Sequence, residues 1–453
     1  MTLNQPLVPT GMSGADDVTS GGLADADASA GGRGVADVNV ADAGASAGMT
    51  GDGRGLGDGS GVGVGIGVGE TVTALAYSQL VGIPQVGDTV MLNCSALARG
   101  LGTGGYALVV APDPRRLPAD PPPNSPGHLV KARYTPLQAM VLGVDEQESA
   151  HHSILQEADS LEQMPVVVAD LHSAVPAIIA GIRHQAGLGG ISSAGFTDST
   201  GFTDSTENSG CAEKSGSRGR NREDRLPRIA YLMTDGGALP ASFSRSIAAL
   251  RDAGWLDCVI TAGQSFGGDL EAVTVHSGLL AARWVAQADI VIVAQGPGNL
   301  GTGTRWGFSG VSAGEAINAV STLQGKAIAS LRISGADLRE RHWGISHHSL
   351  TAYGQVALAA AQVPVPVPSQ GLEKLAGWGE ELTSRIQSQS QLLASRHQLV
   401  NIPVNSQLMD ALKLSPVKLS TMGRGLDADP ASFVAAAAAG MHAYSSIEAH
   451  AGS

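Results

Sequence analysis

Carboxylates, histidines, hydroxyls and arginines recur in this chain directly after short apolar runs, usually beside glycine. Asp170-Leu171-His172-Ser173 follows Val166-Val167-Val168-Ala169, and Thr234-Asp235-Gly236-Gly237 follows the apolar run 228–233. Gln295-Gly296-Pro297-Gly298-Asn299-Leu300-Gly301-Thr302-Gly303-Thr304-Arg305 follows 289–294, Arg332 and Ser334 follow 326–331, and Met422-Gly423-Arg424-Gly425 precedes the last apolar helix. An Asp and a His two positions apart at a strand end can share one side of a sheet, which suits proton transfer or joint metal ligation. Asp170 and His172 are therefore candidate catalytic residues. Ser173 reads as a helix cap rather than a nucleophile, because its flanks are not G-x-S-x-G. Asp235, ahead of two glycines, is a second candidate base, with an Asx-turn as the structural alternative.

The segment GPGNLG at 296–301 satisfies G-x-G-x-x-G. Glycine lets backbone N–H groups approach an anion, so Gly296, Gly298, Asn299, Gly301 and Thr302 are candidate ligand-binding residues. A dinucleotide site is disfavoured: the next helix starts some ten residues on, and no acidic residue ends the following strand. Arg305 and Arg424 complete an anion clamp, since a guanidinium bonds phosphate or carboxylate in pairs. The densest histidine cluster is His342, His347 and His348 in RERHWGISHHSLTAYG, with Ser346 as a helix cap. His347 is the candidate acid from it. A metal centre would have to gather Asp170, His172, Asp235 and one of the adjacent histidines from separate segments. No H-x-x-x-H or H-E-x-x-H spacing supports that, so no metal site is expected, and the sequence names no cofactor.

Strands and helices in alternation must carry these residues. Strand runs at 166–169, 228–233, 258–262, 289–294 and 326–333 alternate with helical runs at 174–184, 240–253, 270–286 and 311–323. Near-continuous Val, Ile and Ala strands between amphipathic helices predict an open, doubly wound, mostly parallel α/β sheet covered on both faces. In such a sheet ligands bind beyond the carboxyl ends of the strands. The remainder predicts two strands within 128–144 around Thr135-Pro136, a strand at 364–368, a polar helix over 371–396, strands at 399–404 and 417–420, and a last helix with Asp429 as N-cap and Pro430 at N1.

Ahead of the core, 71–78, 88–94 and 106–111 are short β-rich runs that predict a small N-terminal β-barrel-like module over 61–112. Residues 1–60 are Gly, Ala, Asp and Ser with almost no large apolar side chain, and read as a disordered tail. The organisation continues with a Pro-rich linker and first part of the core (113–187), a disordered insert carrying a tandem GFTDST (188–226), and the main core with its C-terminal helices (227–445). The formal net charge of −13 argues against a phosphate-binding surface for nucleic acid. The three cysteines are widely and irregularly spaced, which fits neither a disulfide framework nor a zinc knuckle and points to a reducing cytoplasm. No run reaches the length of a membrane span, and the first residues lack a signal peptide's basic start and apolar run.

From Gly69 to about Ala443, outside 188–226, the chain resembles an uncharacterised family of Gram-positive bacterial proteins known only as a domain of unknown function. The resembling segments are VGDTVMLNCSALARGLGTGGYALVVA, PGHLVKARYTPLQAMVLGVDE, MTDGGALPASFSRSIAALRDAGW, GQSFGGDLEAVTVHSGLLAARW, AQGPGNLGTGTRWGFSG, ERHWGISHHSLTAYGQVALA and LSTMGRGLDADPASFVAAAAAG. The resemblance implies no established activity, cofactor or catalytic residues. A family first strand that is usually basic and Trp-containing is replaced here by Gly/Val repeats.

The residues themselves point first to a cytoplasmic hydrolase or transferase acting on a small phosphorylated or carboxylated molecule at the carboxyl edge of the sheet. In it Asp170 or Asp235 is the base, His172 or His347 the acid, and Arg305 with Arg424 the clamp. A noncatalytic nucleotide or metabolite sensor built on 296–305 is the second reading, and a scaffold using the β module is the third. A small anionic molecule is the expected partner, with no nucleic acid and no membrane, and an oligomer is allowed.

Overall fold

The computed structural model describes residues 71–98, 105–111, 115, 125–187, 226–369 and 378–451, with three short strands at Thr2–Leu3, Thr19–Gly21 and Val35–Val38. The run 61–70, the rest of 1–60 and the insert 188–225 lie outside the described residues. The chain forms two compact units, Met1–Ser125 and Pro126–Ser453.

In the first unit the three β-rich runs become the strands Ala74–Tyr77, Thr89–Asn93 and Ala107–Ala111. Alternation decides which face each buries: in Thr89–Asn93 only Val90 and Leu92 are buried. With the three short strands they make a six-stranded sheet whose edges, in the described order, are Thr2–Leu3 and Val35–Val38. Ala74–Tyr77 and Ala107–Ala111 run parallel, and the other neighbours antiparallel.

The second unit holds an eight-stranded sheet: β1 (Pro165–Val168), β2 (Ile229–Thr234), β3 (Cys258–Thr261), β4 (Leu270–Glu271), β5 (Ile290–Gln295), β6 (Lys326–Ala329), β7 (Gln362–Pro368) and β8 (Gln398–Val404). Its order is β4-β3-β2-β5-β1-β6-β7-β8, and every neighbouring pair is parallel. Both faces of the central strands are covered, so β1, β3 and β5 are buried at every position. Their mostly Val and Ile composition follows from that, and the polar Thr261 and Gln295 come at the strand ends. β7 shows the opposite constraint. Pro364, Pro366 and Pro368 remove every second N–H, all on one side of the strand. Pairing of β7 with β6 is confined to Ile328 and Gln362, whereas seven residues pair with β8.

Helices lie in two layers. α1 (Val175–Gln185), α7 (Ser406–Lys413) and α8 (Pro430–Ala451) pack together on one face. α3 (Val275–Trp284), α4 (Ser312–Thr322) and the π-helical turn Ala352–Val356 following α5 (His347–Thr351) pack on the other. α1 and α8 cross where a Cβ on Gly181 would lie 2.0 Å from the carbonyl of Ala437, so only glycine permits that approach. α2 (Arg245–Asp252) starts at Ser244, whose Oγ accepts the Ile247 N–H, and α6 covers Glu380–Ser390.

Some boundaries differ from the sequence reading for local reasons. The run 270–286 is not one helix: Leu270–Glu271 joins the sheet as β4, and a capping box between Thr274 and Ser277 starts α3. The run 240–253 opens with a 3-10 turn at Ala241–Phe243 before Ser244 caps α2. Part of the helix expected over 371–396 lies outside the described residues. Among the described residues Cys94 is a free, buried thiol. Among the described residues no helix is long and apolar enough to cross a membrane.

Candidate functional site

β1 and β6 are neighbours whose outgoing connections diverge, one toward β2 and the other toward β7. Diverging connections leave a crevice beyond the strand ends. Asp170 and Ser173 from the β1 side, Ser330 and Arg332 from the β6 side, and Thr421 and Phe433 from the C-terminal segment line it. Its volume is about 30 Å³, room for about one or two waters. A larger cavity of about 500 Å³ beside α6 is lined by Ser, Gln, Asn, Val and Leu, and holds no group able to transfer a proton or carry charge.

Asp170 is 4% exposed, and its Oδ2 has no hydrogen-bond partner. Its nearest countercharge is Arg332, with Nη1 3.9 Å from Oδ2. Burial pushes the Asp170 carboxyl above the usual carboxylate range, and the Arg332 charge works against that shift. The backbone around the pair is fixed: the Tyr353 hydroxyl meets the carbonyls of Val168 and Ser330, at 2.9 and 3.1 Å, and Gln295 Nε2 donates to the Asp170 carbonyl at 2.9 Å. The Arg332 N–H donates to Ser349 Oγ at 2.9 Å, and Nη1 donates to His348 Nδ1 at 3.0 Å.

Arg332 thereby joins the crevice to the three histidines. His342 ends a 3-10 turn, Glu340–His342, while His347 and His348 open α5 behind the Ser346 cap. The two-residue strand Gly344–Ile345, paired antiparallel with Ile333–Ser334, lies between them in the chain. One ring nitrogen from each histidine lies within 4.8 Å of those of the other two. His342 Nδ1 is 2.8 Å from Ser346 Oγ, and His348 stacks on Phe308 at 3.9 Å. His347 Nε2 is buried and has no partner. Burial, reinforced by Arg332, lowers His342 and His348 to about 3 and lowers His347 as well. The cluster is neutral at pH 7, with lone pairs to offer.

The other sequence candidates sit in different surroundings. His172 does not pair with the Asp170 carboxylate: its Nδ1 lies 2.9 Å from the Tyr231 hydroxyl and its Nε2 2.7 Å from Ser244 Oγ, and burial lowers it to about 4. β1 ends at Val168, so the strand alternation assumed for the two residues does not reach them. Asp235 is exposed, and its Oδ2 accepts the Gln264 N–H at 2.9 Å. In the glycine loop, Gly296 packs against the Ala238 carbonyl, Asn299 Oδ1 accepts from Gln295 Nε2 and Ser309 Oγ, and Gly298, Gly301 and Thr302 are exposed. A bridge between Gly301 and Phe308 folds this loop back before α4. Arg305 is exposed over the Trp306 ring. Arg424 is held by Asp337 at 3.0 Å and Asp429 at 3.1 Å. Asp429 is fully buried, and its carboxylate also accepts from Ser334 and Gly335.

Arg332, His342 and His348 were absent from the sequence-derived site. The rule that selected Asp170 also applies to Arg332, a charged residue just past a strand. The histidines were visible as a cluster, but no regular spacing showed that a turn, a short strand and a helix would converge them.

Residues 73–193 and 218–440 match the family model described as a protein of unknown function, DUF3866. The chain belongs to that family. The match takes in Asp170, Arg332 and all three histidines of the DUF3866 chain, and so covers the whole crevice. No curated protein and no solved structure matches it.

Proposed function

We propose that this DUF3866 protein is a hydrolase or transferase acting on a small phosphorylated or carboxylated substrate at the carboxyl edge of the sheet. Asp170 transfers the proton and Arg332 meets the anion. The observation that carries the reading is the buried Asp170 carboxylate with one oxygen unspent, facing a guanidinium 3.9 Å away at a topological switch point. A buried carboxyl raised above the usual carboxylate range, with one oxygen free of hydrogen bonds, suits proton transfer. Arg332 already uses one N–H on His348 and has others for a planar or tetrahedral anion. His347, with its unpartnered Nε2, is the second proton-handling candidate. The crevice's small volume argues against envelopment of a nucleotide.

The test is turnover by the purified chain of p-nitrophenyl phosphate, bis-p-nitrophenyl phosphate and p-nitrophenyl acetate. We expect activity on at least one, with Asp170→Asn and Arg332→Gln each lowering kcat/KM by about 100-fold or more. Turnover that survives both substitutions overturns the assignment. Thermal stabilisation by inorganic phosphate without turnover on any ester replaces catalysis with sensing at the same residues.

A further inference from the structure

We propose that His342, His347 and His348 bind one first-row divalent ion of the zinc class, and that Arg332 leaves His348 for Asp170 when the ion arrives. The inference rests on the crevice described above and deepens it by naming a metal that would serve it. Three nitrogens within 4.8 Å of one another need only small side-chain adjustment to reach a common ion. The rings do not stack on one another: their planes meet at 55°, 87° and 60°, with centroids 4.4 to 5.0 Å apart. Each ring has a distinct setting. His342 can donate Nδ1–H to Ser346 Oγ, which fixes the ring and leaves Nε2 as a lone pair. His347 has a buried Nε2 with no protein partner, a costly state that an ion relieves. Three imidazoles without a ligating carboxylate suit zinc, cobalt or nickel rather than magnesium or calcium, and three protein ligands leave a coordination position open.

His348 supplies the coupling. A guanidinium only donates, so Nδ1 of His348 is the acceptor and its proton sits on Nε2. An ion can take this residue only by displacing Arg332 from Nδ1, or after the proton has moved to Nδ1, and either route breaks the Arg332 hydrogen bond. The unspent Asp170 Oδ2, 3.9 Å from Arg332 Nη1, is the acceptor waiting for it. Metal binding thus releases a cation onto the carboxylate, or onto the substrate anion that competes for it.

The experiment is a titration of the full chain, stripped by chelator, with Co²⁺ followed by Zn²⁺, read by visible absorption and calorimetry in the absence of substrate. One Co²⁺ per chain with tetrahedral d–d bands, displaced by Zn²⁺, is expected. His347→Gln and His348→Ala should each weaken binding by about 100-fold, and circular dichroism confirms that each variant is folded. His347→Gln is the decisive one if removing the His348 ring from Phe308 prevents folding. Arg332→Gln should tighten Co²⁺ binding by about 10-fold. Absence of stoichiometric binding, or binding unchanged by His347→Gln, overturns the metal site. Unchanged or weaker binding in Arg332→Gln overturns the displacement. Because no substrate is present, a chain that binds Co²⁺ but turns over no ester sinks only the proposed reaction, and ester turnover by a chain that binds no metal sinks only the metal site.

Discussion

The sheet has two places where neighbouring strands send their connections apart, β2 with β5 and β1 with β6, and the two rims are furnished with similar residues. At the β2–β5 rim most of the polar groups are spent on the protein itself, although Gln295 Oε1 at the end of β5 is buried without a hydrogen-bond partner. His172 has a partner on each ring nitrogen, Asp235 holds the Gln264 N–H, and the loops are zipped by the Ala238 N–H on the Pro297 carbonyl at 2.7 Å. A Cβ on Gly237 would meet the Gly296 carbonyl at 2.1 Å, so little space is left between the loops. At the β1–β6 rim Asp170 Oδ2 and His347 Nε2 are buried and unspent, and Arg332 stands between them. Residue type and topological position are nearly the same in both. What marks the β1–β6 rim is that its unspent oxygen belongs to a buried carboxylate facing a guanidinium, where the other rim's belongs to a neutral amide.

The largest effect should come from disturbing the Asp170–Arg332 pair. Arg332→Gln leaves the Asp170 carboxylate buried without its countercharge, and should destabilise the fold by about 3–5 kcal/mol at pH 8. Adding Asp170→Asn should restore most of that loss, because the charge that needed Arg332 is gone. Urea unfolding of the two single variants and the double variant measures the coupling; additive losses would mean that the pair does not interact.

The braced rim makes a prediction in pH. His172 falls from an ordinary 6.5 to about 4 because burial disfavours its charged form. Between those values the unfolded chain holds a proton that the folded chain does not, so stability is intact above pH 6.5 and declines as pH falls toward 4. The loss assigned to this residue is about 3 kcal/mol. In His172→Gln that part of the slope should vanish. A variant whose unfolding free energy tracks pH as the wild type's does would show that His172 is not buried neutral.

Glycines sharpen the same contrast at smaller scale. Gly237→Ala should cost about 1–3 kcal/mol, since its Cβ must push against the facing loop's backbone. Gly298→Ala meets nothing within 4 Å and strains only a backbone at φ +89°, a loss of about 1 kcal/mol. Equal losses in thermal unfolding would mean the two loops are equally open.

Much of the sheet was legible because its strands are buried on both faces and therefore read as unbroken apolar runs: Pro165–Val168, Cys258–Thr261 and Ile290–Gln295 fall within one or two residues of the runs that predicted them. β4 was not, because two residues ending in a carboxylate do not make an apolar run. Glu271 is buried there only because Lys131, Thr261 and the Gly267 N–H surround it, partners up to 140 positions away. Asp170 was legible from its place after a strand. Its partner was not, since distance across β1 and β6 leaves no trace in local spacing. Arg424 shows the converse: a glycine-flanked arginine looks available in sequence, yet two distant carboxylates, Asp337 and Asp429, already hold it.

Arg305 gives the weakest effect and the cleanest control on the comparison. It lies exposed on the far limb of the glycine loop, stacked over Trp306, with its charge in water. An exposed cation–π contact is worth about 0.5–1 kcal/mol, and water screens the guanidinium from the crevice. Arg305→Ala should therefore shift unfolding by less than about 1 kcal/mol and leave phosphate-induced stabilisation as it is in the wild type. If instead Arg305→Ala abolishes the phosphate response while Arg332→Gln spares it, the anion is held by the loop, and the Asp170–Arg332 pair at β1 and β6 is structural after all.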